Sequence, residues 1–134
     1  GKTTDYESIA MAVSDDMINW KRIGEGPLIT RGKGICGDAQ ITKIGDIYVM
    51  FYFGAFWKPG AFNRFACSYD LINWTDWDGE DLISSSEDYD KIYAHKPWVI
   101  KWKDTVYHFY NAVGESGRVI ALATSKNLSR PNTY

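Results

Sequence analysis

The sequence is poor in the features that define several large classes of protein. It has only two cysteines, Cys36 and Cys67, whose spacing fits neither a zinc site nor a redox pair, so a disulfide is disfavoured. No run approaches the roughly eighteen apolar residues of a membrane-spanning helix. The first residues, GKTTDYESIA, lack the basic and apolar parts of a secretion signal. We therefore expect a single domain that has no contact with a membrane.

Charge and helical periodicity are also lacking. The chain has 15 Lys and Arg against 17 Asp and Glu, a net charge of −2, and its cations are scattered. Because nucleic-acid binding needs a basic stripe, we expect no nucleic-acid partner. No segment shows the 3.6-residue period of an amphipathic helix. The cysteines do not identify a compartment, and our expectation of a secreted or periplasmic protein rests on no single residue.

Aromatic residues are abundant instead. Six Trp, nine Tyr and six Phe make up 16% of the chain. Aromatic side chains favour strands, and their flat apolar faces also match the C–H faces of sugar rings. We expect most of them to be strand and core residues.

One short motif occurs twice. SDDMINW (14–20) and SYDLINW (68–74) are 54 residues apart, a period typical of repeat architectures. We expect Asp16 and Asp70 to accept hydrogen bonds from turn backbone, and Trp20 and Trp74 to pack between sheets. Residues repeated in this way are predicted to be structural.

A second repeat has an offset of 58 residues. GDAQITKIGDIYVMFYFGA (37–55) aligns with HKPWVIKWKDTVYHFYNAV (95–113), and each reads as a strand, a tight turn and a strand. A small-residue strand follows each hairpin. The predicted unit is a four-stranded antiparallel meander of about 55 residues, as in a β-propeller blade. The predicted domain is one partial propeller: the end of one blade (8–36), a full blade (37–94) and most of a third (95–134).

The meander predicts where a site would lie. The connection between the second and third strands lies at the same end as the start of the first strand. That end gathers Asp38, His95 and the loops 54–63 and 114–117, which are candidates to line a pocket. Fewer than three blades leave end sheets uncovered, so we expect either the remaining blades of a longer protein or another copy of the chain as partner.

The blade pattern resembles the five-bladed propeller glycoside hydrolases of families 43, 32 and 117. Those enzymes use three carboxylates from successive inner strands. The resemblance places the second at Asp38, where Ala39 replaces the usual proline, and the third at His95, two residues before Pro97. It implies a carbohydrate substrate, with the first carboxylate outside this chain. It implies no obligatory cofactor, although some relatives hold a central cation such as calcium.

Each candidate residue has both a functional and a structural interpretation. Asp38 either orients sugar and tunes the acid or caps a turn. His95 acts as the acid, binds sugar, is a satisfied histidine, or sits by the central cation. Phe56 and Trp57 serve as sugar platforms or blade packing, and Glu115 and Arg118 bind sugar hydroxyls or flank a solvated turn. A carboxylic acid could instead reach the pocket from Glu87, Asp88, Asp90 or Glu115.

The leading hypothesis is a fragment of a glycoside hydrolase that is inactive alone. Glycoside hydrolysis needs an acid and a second carboxylate on opposite faces of the sugar, and one is missing here. The alternative is a non-catalytic, lectin-like propeller that would repeat one pocket in every blade. A sialidase-type propeller comes third, since SxDxxxW is close to its repeated box. A glycoside phosphorylase would need a phosphate site, for example Arg64, Lys58 and His95.

Overall fold

The computed structural model describes residues 6–127, and every regular element in that range is a β-strand. The ten strands are β1 (Tyr6–Glu7), β2 (Met11–Val13), β3 (Lys21–Ile23), β4 (Gly34–Ile44), β5 (Ile47–Ala55), β6 (Ala61–Ser68), β7 (Thr75–Asp76), β8 (Tyr93–Trp102), β9 (Thr105–Gly114) and β10 (Gly117–Thr124). The described residues include no helix of the length and apolarity needed to cross a membrane.

The strands form three sheets. Strands β4 to β7 make a four-stranded antiparallel meander, to which β1 adds in parallel beside β4. Strands β8, β9 and β10 form a second antiparallel meander, and β2 and β3 form a hairpin. The predicted all-β fold built from meanders is confirmed. The divisions between blades at 37 and 95 stay predictions.

The hairpins and repeated turns follow directly from the sequence. Gly45 and Lys103 open equivalent hairpin turns with φ of 60° and 52°, the left-handed conformation that a two-residue turn requires. The carboxylate of Asp70 accepts hydrogen bonds from the backbone N–H groups of Ile72 and Asn73 at 2.9 and 2.7 Å. Asp16 makes the same bonds in the first repeat. These bonds hold the pKa of both carboxyls well below the usual value, and the predicted turn role is confirmed.

The two tryptophans of the repeat differ. Trp74 packs against the buried cluster that contains Met50 and Tyr52. Trp20 is 61% exposed, so the expectation that it packs between sheets is wrong for the described residues. The reason is that Trp20 directly precedes β3, and among the described strands β3 pairs only with β2. This two-stranded hairpin provides no other sheet to cover the indole ring.

The core lies on both faces of the β4–β7 meander. One face packs Cys36, Met50, Tyr52 and Ala66 against Ile29. The other carries Phe53, Ala55 and Ala61, against which Tyr93 of β8 packs. Cys36 and Cys67 are both free thiols, as expected. The two meanders therefore stack face to face through apolar side chains, as successive blades do.

His108 in β9 should make stability depend on pH. It is buried, its Nε2 has no hydrogen-bond partner within residues 6–127, and burial lowers its pKa to about 4. The unfolded chain, with a histidine pKa near 6.5, takes up a proton first as pH falls, so this stabilisation is complete above pH 6.5 and declines towards pH 4. We expect His108→Phe, which keeps a ring beside Phe51 and Tyr110, to remove about 2 kcal/mol of the stability change between pH 6.5 and 5.

Urea unfolding of both proteins at pH 5, 6 and 7 measures this difference. Because His95 and the carboxylates titrate in both, only the difference between the two proteins reports on His108. Parallel pH profiles would show that His108 has the same pKa in the folded and the unfolded protein and would contradict the assignment.

Candidate functional site

The first strand of each meander, β4 or β8, contains a β-bulge, and the two bulges lie at equivalent positions. The register of β4 against β5 shifts between Gly37 and Gln40, and that of β8 against β9 shifts between His95 and Trp98. The first unpaired residue of each bulge, Asp38 or Lys96, is left-handed, with φ of 49° and 55°. The structural equivalent of Asp38 is therefore Lys96, and that of His95 is Gly37. Bulges of this kind re-aim side chains next to functional sites.

Side chains join the two bulges directly. The Lys96 ammonium donates to Oδ2 of Asp38 at 2.8 Å, in a half-exposed ion pair. Just beyond the bulges, Gln40 of β4 pairs with the backbone of Val99 in β8. Its Nε2 donates to the Val99 carbonyl at 2.8 Å, and its Oε1 accepts from the Val99 N–H at 2.6 Å. Gln40 thus fixes the distance between the strands that carry Asp38 and His95.

His95 is buried beside these bulges. Its Nδ1 lies 3.0 Å from the backbone oxygen of Asn111, which can only accept, so Nδ1 carries the proton in the neutral ring. The ring meets Phe53 edge to face at 5.6 Å, and the Phe53 ring in turn fills the space that a Cβ at Gly37 would need, 2.9 Å away. Burial, together with the charges of Lys96 and Arg118, lowers the pKa of His95, although the Asn111 bond and Asp38 oppose this. At neutral pH the ring is neutral and presents Nε2 as an acceptor, which suits sugar binding better than proton donation.

A small cleft of about 190 Å³ lies above His95. Its lining combines three polar side chains, those of His95, Lys96 and Arg118, with a larger apolar group. The apolar lining residues are Ile35, Phe53, Ala55, Phe56, Ala61 and Tyr93. Of the candidate residues, His95, Phe56 and Arg118 line this cleft, and Asp38 adjoins it through its ion pair with Lys96. An apolar lining with a few polar groups is typical of sites for small polar ligands.

Backbone strain concentrates at this cleft. Six residues other than glycine within 6–127 have positive φ: Met17, Asp38, Phe56, Leu71, Lys96 and Lys103. Met17 and Leu71 belong to the repeated turns, and Lys103 to a hairpin. Of the other three, Phe56 and Lys96 line the cleft and Asp38 is bonded to Lys96. Phe56, at φ 71° and 58% exposed, meets Tyr93 edge to face at 6.3 Å. A left-handed bulky residue costs about 1–3 kcal/mol and is characteristic of functional sites, which supports this cleft.

Solved structures share this arrangement of strands. Two of them, one described as a complex of BT0996 and RGII and the other as a glycoside hydrolase, are each 51% identical to the sequence with a TM-score of 0.85. Each comparison covers 93% of the sequence. The protein belongs to the β-propeller glycoside hydrolase superfamily. The fold is also that of the Bombyx mori GH32 beta-fructofuranosidase BmSUC1, with a TM-score of 0.74 and 19% identity over 87% of the sequence.

The sequence matches only a part of the length of each of these structures. It spans 37% of the first two structures and 25% of the fructofuranosidase. No family model and no curated protein sequence matches it.

Trp57 lies away from the cleft of this superfamily member. Its ring meets Phe62 edge to face at 5.0 Å and fills the space beside Gly34 and Gly54, where a Cβ would lie 3.2 and 2.1 Å from ring atoms. The Arg31 guanidinium covers the ring at 5.4 Å. Of the two readings of Trp57, these contacts favour packing.

A larger cavity of about 510 Å³ adjoins Trp57, and most of its charges neutralise one another. Arg31 pairs with Asp76, which also accepts from the Tyr52 hydroxyl at 2.6 Å. Arg64 lies 2.8 Å from Asp81, which also binds Lys58. The two cations that a phosphorylase would need beside His95 are thus held by Asp81.

The carboxylates considered as alternative acids are held elsewhere or lie outside the cleft lining. Glu115 pairs with Lys91 at 2.9 Å and is 77% exposed. Asp90 is fully buried and accepts three hydrogen bonds from its own loop and Tyr110. Within residues 6–127, Asp38 is the carboxylate nearest His95 that the contacts identify, so the pair of carboxylates required for hydrolysis is incomplete there.

The central cation of some relatives is an implication of the resemblance alone. Across the described range, no three His, Cys, Asp or Glu side chains come close enough together to hold a metal ion.

Proposed function

We propose that this chain supplies one side of the active site of a glycoside hydrolase. The observation that supports it best is the cleft at two equivalent bulges, which His95 and Phe56 line and which Asp38 adjoins through its ion pair with Lys96. Phe56 offers an apolar face for a sugar ring, Nε2 of His95 accepts from a hydroxyl, and Asp38 orients the sugar beside the missing carboxylates. One of the most similar structures is described as a complex with RGII, and we propose RGII as a substrate to test first.

The rest of the ring is proposed to come from further blades. The outer face of the second meander exposes a row of large apolar side chains, and the register places them on one face because directly paired residues point the same way. Trp98, Trp102 and Ile120 there are 59%, 63% and 75% exposed. A face of this kind fits another sheet, from a longer chain or a second copy, and we propose that the chain is inactive until that sheet is in place.

The test is turnover by the protein that carries the complete ring, on RGII and a panel of aryl glycosides. We expect Asp38→Asn to lower kcat about ten- to hundredfold while sugar binding stays within about threefold, since the amide keeps the shape and loses the charge. Asp46→Asn, an exposed hairpin carboxylate at the other end of β4, is the matched control.

Two outcomes would count against the proposal. Equal turnover by the Asp38→Asn and Asp46→Asn proteins would remove Asp38 from the reaction. Absent turnover, with binding at several equivalent sites, would favour the lectin-like alternative.

The two repeats favour one composite site over a repeated pocket. Equivalent bulge positions carry different chemistry: Gly37 against His95, and Asp38 against Lys96. A lectin that repeats its pocket in each blade would need like residues there, so this difference supports the enzyme hypothesis.

A further inference from the structure

The cleft beside His95 carries more positive than negative charge. Lys96 and Arg118 line it, and the nearby Asp38 offsets only Lys96, to which it is bonded at 2.8 Å. Arg118 forms no ion pair with any residue of 6–127, and the lowered pKa of His95 favours its neutral form near pH 7. With the ring neutral, one cationic guanidinium therefore remains uncompensated at the rim of an apolar cleft.

The position of Arg118 places its guanidinium where a ligand in the cleft would contact it. It lies at the start of β10, paired with Val113 of β9, and lines the same cleft as Phe56. Its field reaches His95, whose pKa it lowers together with Lys96. The apolar wall weakens screening by water, which strengthens any interaction with an anion that enters.

We infer that this cleft binds a sugar that carries a carboxylate, a uronic acid residue, with its ring against Phe56 and its carboxylate on Arg118. The inference rests on the proposed function, because it takes the cleft to be a sugar site. A guanidinium presents two parallel N–H donors that match the two oxygens of a carboxylate, which makes a carboxylate the favoured anion. Lys96 adds a second donor from the neighbouring bulge.

Binding of methyl glucuronide and methyl galacturonide is compared with that of the neutral methyl glucoside and methyl galactoside, by calorimetry on the complete protein at low salt. We expect the acidic sugars to bind at least tenfold tighter, and Arg118→Gln to reduce that preference to about threefold or less. Arg22→Gln, which removes an exposed cation of β3 outside the cleft, should leave the preference unchanged.

A second readout is the titration of His95 by NMR. A bound carboxylate opposes the fields of Lys96 and Arg118, so the acidic sugar should raise the pKa of His95, whereas the neutral sugar should not. Asp38, the Asn111 carbonyl and the two cations are the groups that act on this ring, and all are present in both measurements.

The outcomes separate the inference from the proposed function. Equal binding of neutral and acidic sugars overturns the inference and leaves the sugar site intact. Equal affinity for galactose 6-sulfate and the uronides overturns the assignment to a carboxylate. Binding of none of these sugars overturns both. A preference that survives in Arg118→Gln places the anion elsewhere and also overturns the inference.

Discussion

Replacing Asp90 with alanine is expected to lower the free energy of unfolding by about 3–5 kcal/mol. Asp90 is completely buried ahead of β8. One carboxylate oxygen accepts the backbone N–H groups of Ser86 and Glu87, both at 2.8 Å, and the other accepts the Tyr110 hydroxyl at 2.8 Å. Alanine would leave three donors without a partner, and each unsatisfied buried group costs about 1–3 kcal/mol.

Two further variants show whether the loss of stability comes from the hydrogen bonds of Asp90. Tyr110→Phe removes one of the three bonds and should cost about 1 kcal/mol, whereas Asp88→Ala, an exposed carboxylate of the same loop, should stay within about 0.5 kcal/mol. Urea unfolding gives all three values. A cost for Asp90→Ala no greater than that of Tyr110→Phe would show that the backbone bonds of the loop are made with water, against the structure.

Trp57→Ala is expected to cost about 3 kcal/mol of stability, while Phe56→Ala should change stability by no more than about 0.5 kcal/mol. These neighbours have opposite environments. Trp57 fits against Gly34, Gly54 and Phe62, and truncation would leave a cavity that two rigid glycine backbones cannot close. Phe56 is 58% exposed and left-handed, so its loss removes little packing and relaxes no buried contact.

Thermal and urea unfolding of both variants measures stability, and calorimetry with the best ligand of the panel measures binding. Trp57→Phe, which keeps an aromatic ring in the same place, should recover about half of the lost stability. Loss of ligand binding in Trp57→Ala without loss of stability would make Trp57 the sugar platform and contradict the division of roles.

The repeats allowed much of the fold to be predicted. The aligned segments at 37–55 and 95–113 place four of the longest strands and both hairpin turns correctly, because side-chain alternation and turn chemistry are local properties. The carboxylates of Asp16 and Asp70 could be assigned for the same reason. Each interacts with residues two or three positions away in the sequence.

Contacts between the sheets could not be predicted in the same way. The 58-residue offset already aligned Asp38 with Lys96, and the two bulges agree with it, but the ion pair between these side chains could not be read from the alignment. Gln40 was missed because its partner is the backbone of Val99, 59 residues away. Its place directly after the GDA of the motif was the only available signal. Trp57 gave no local sign that two glycines make room for its ring.

The bridge from Gln40 to Val99 has a consequence for how specificity can change over evolution. Since this amide sets the spacing of two inner strands below the cleft, the floor of the site cannot widen by sliding one blade against the next. New ligand preferences must then arise in the connections at 54–63 and 114–117, whose lengths and side chains can vary without disturbing the strands. Under the proposed function, the strands would hold the reacting end of a sugar in one place, while the loops adapt to whatever is attached to it.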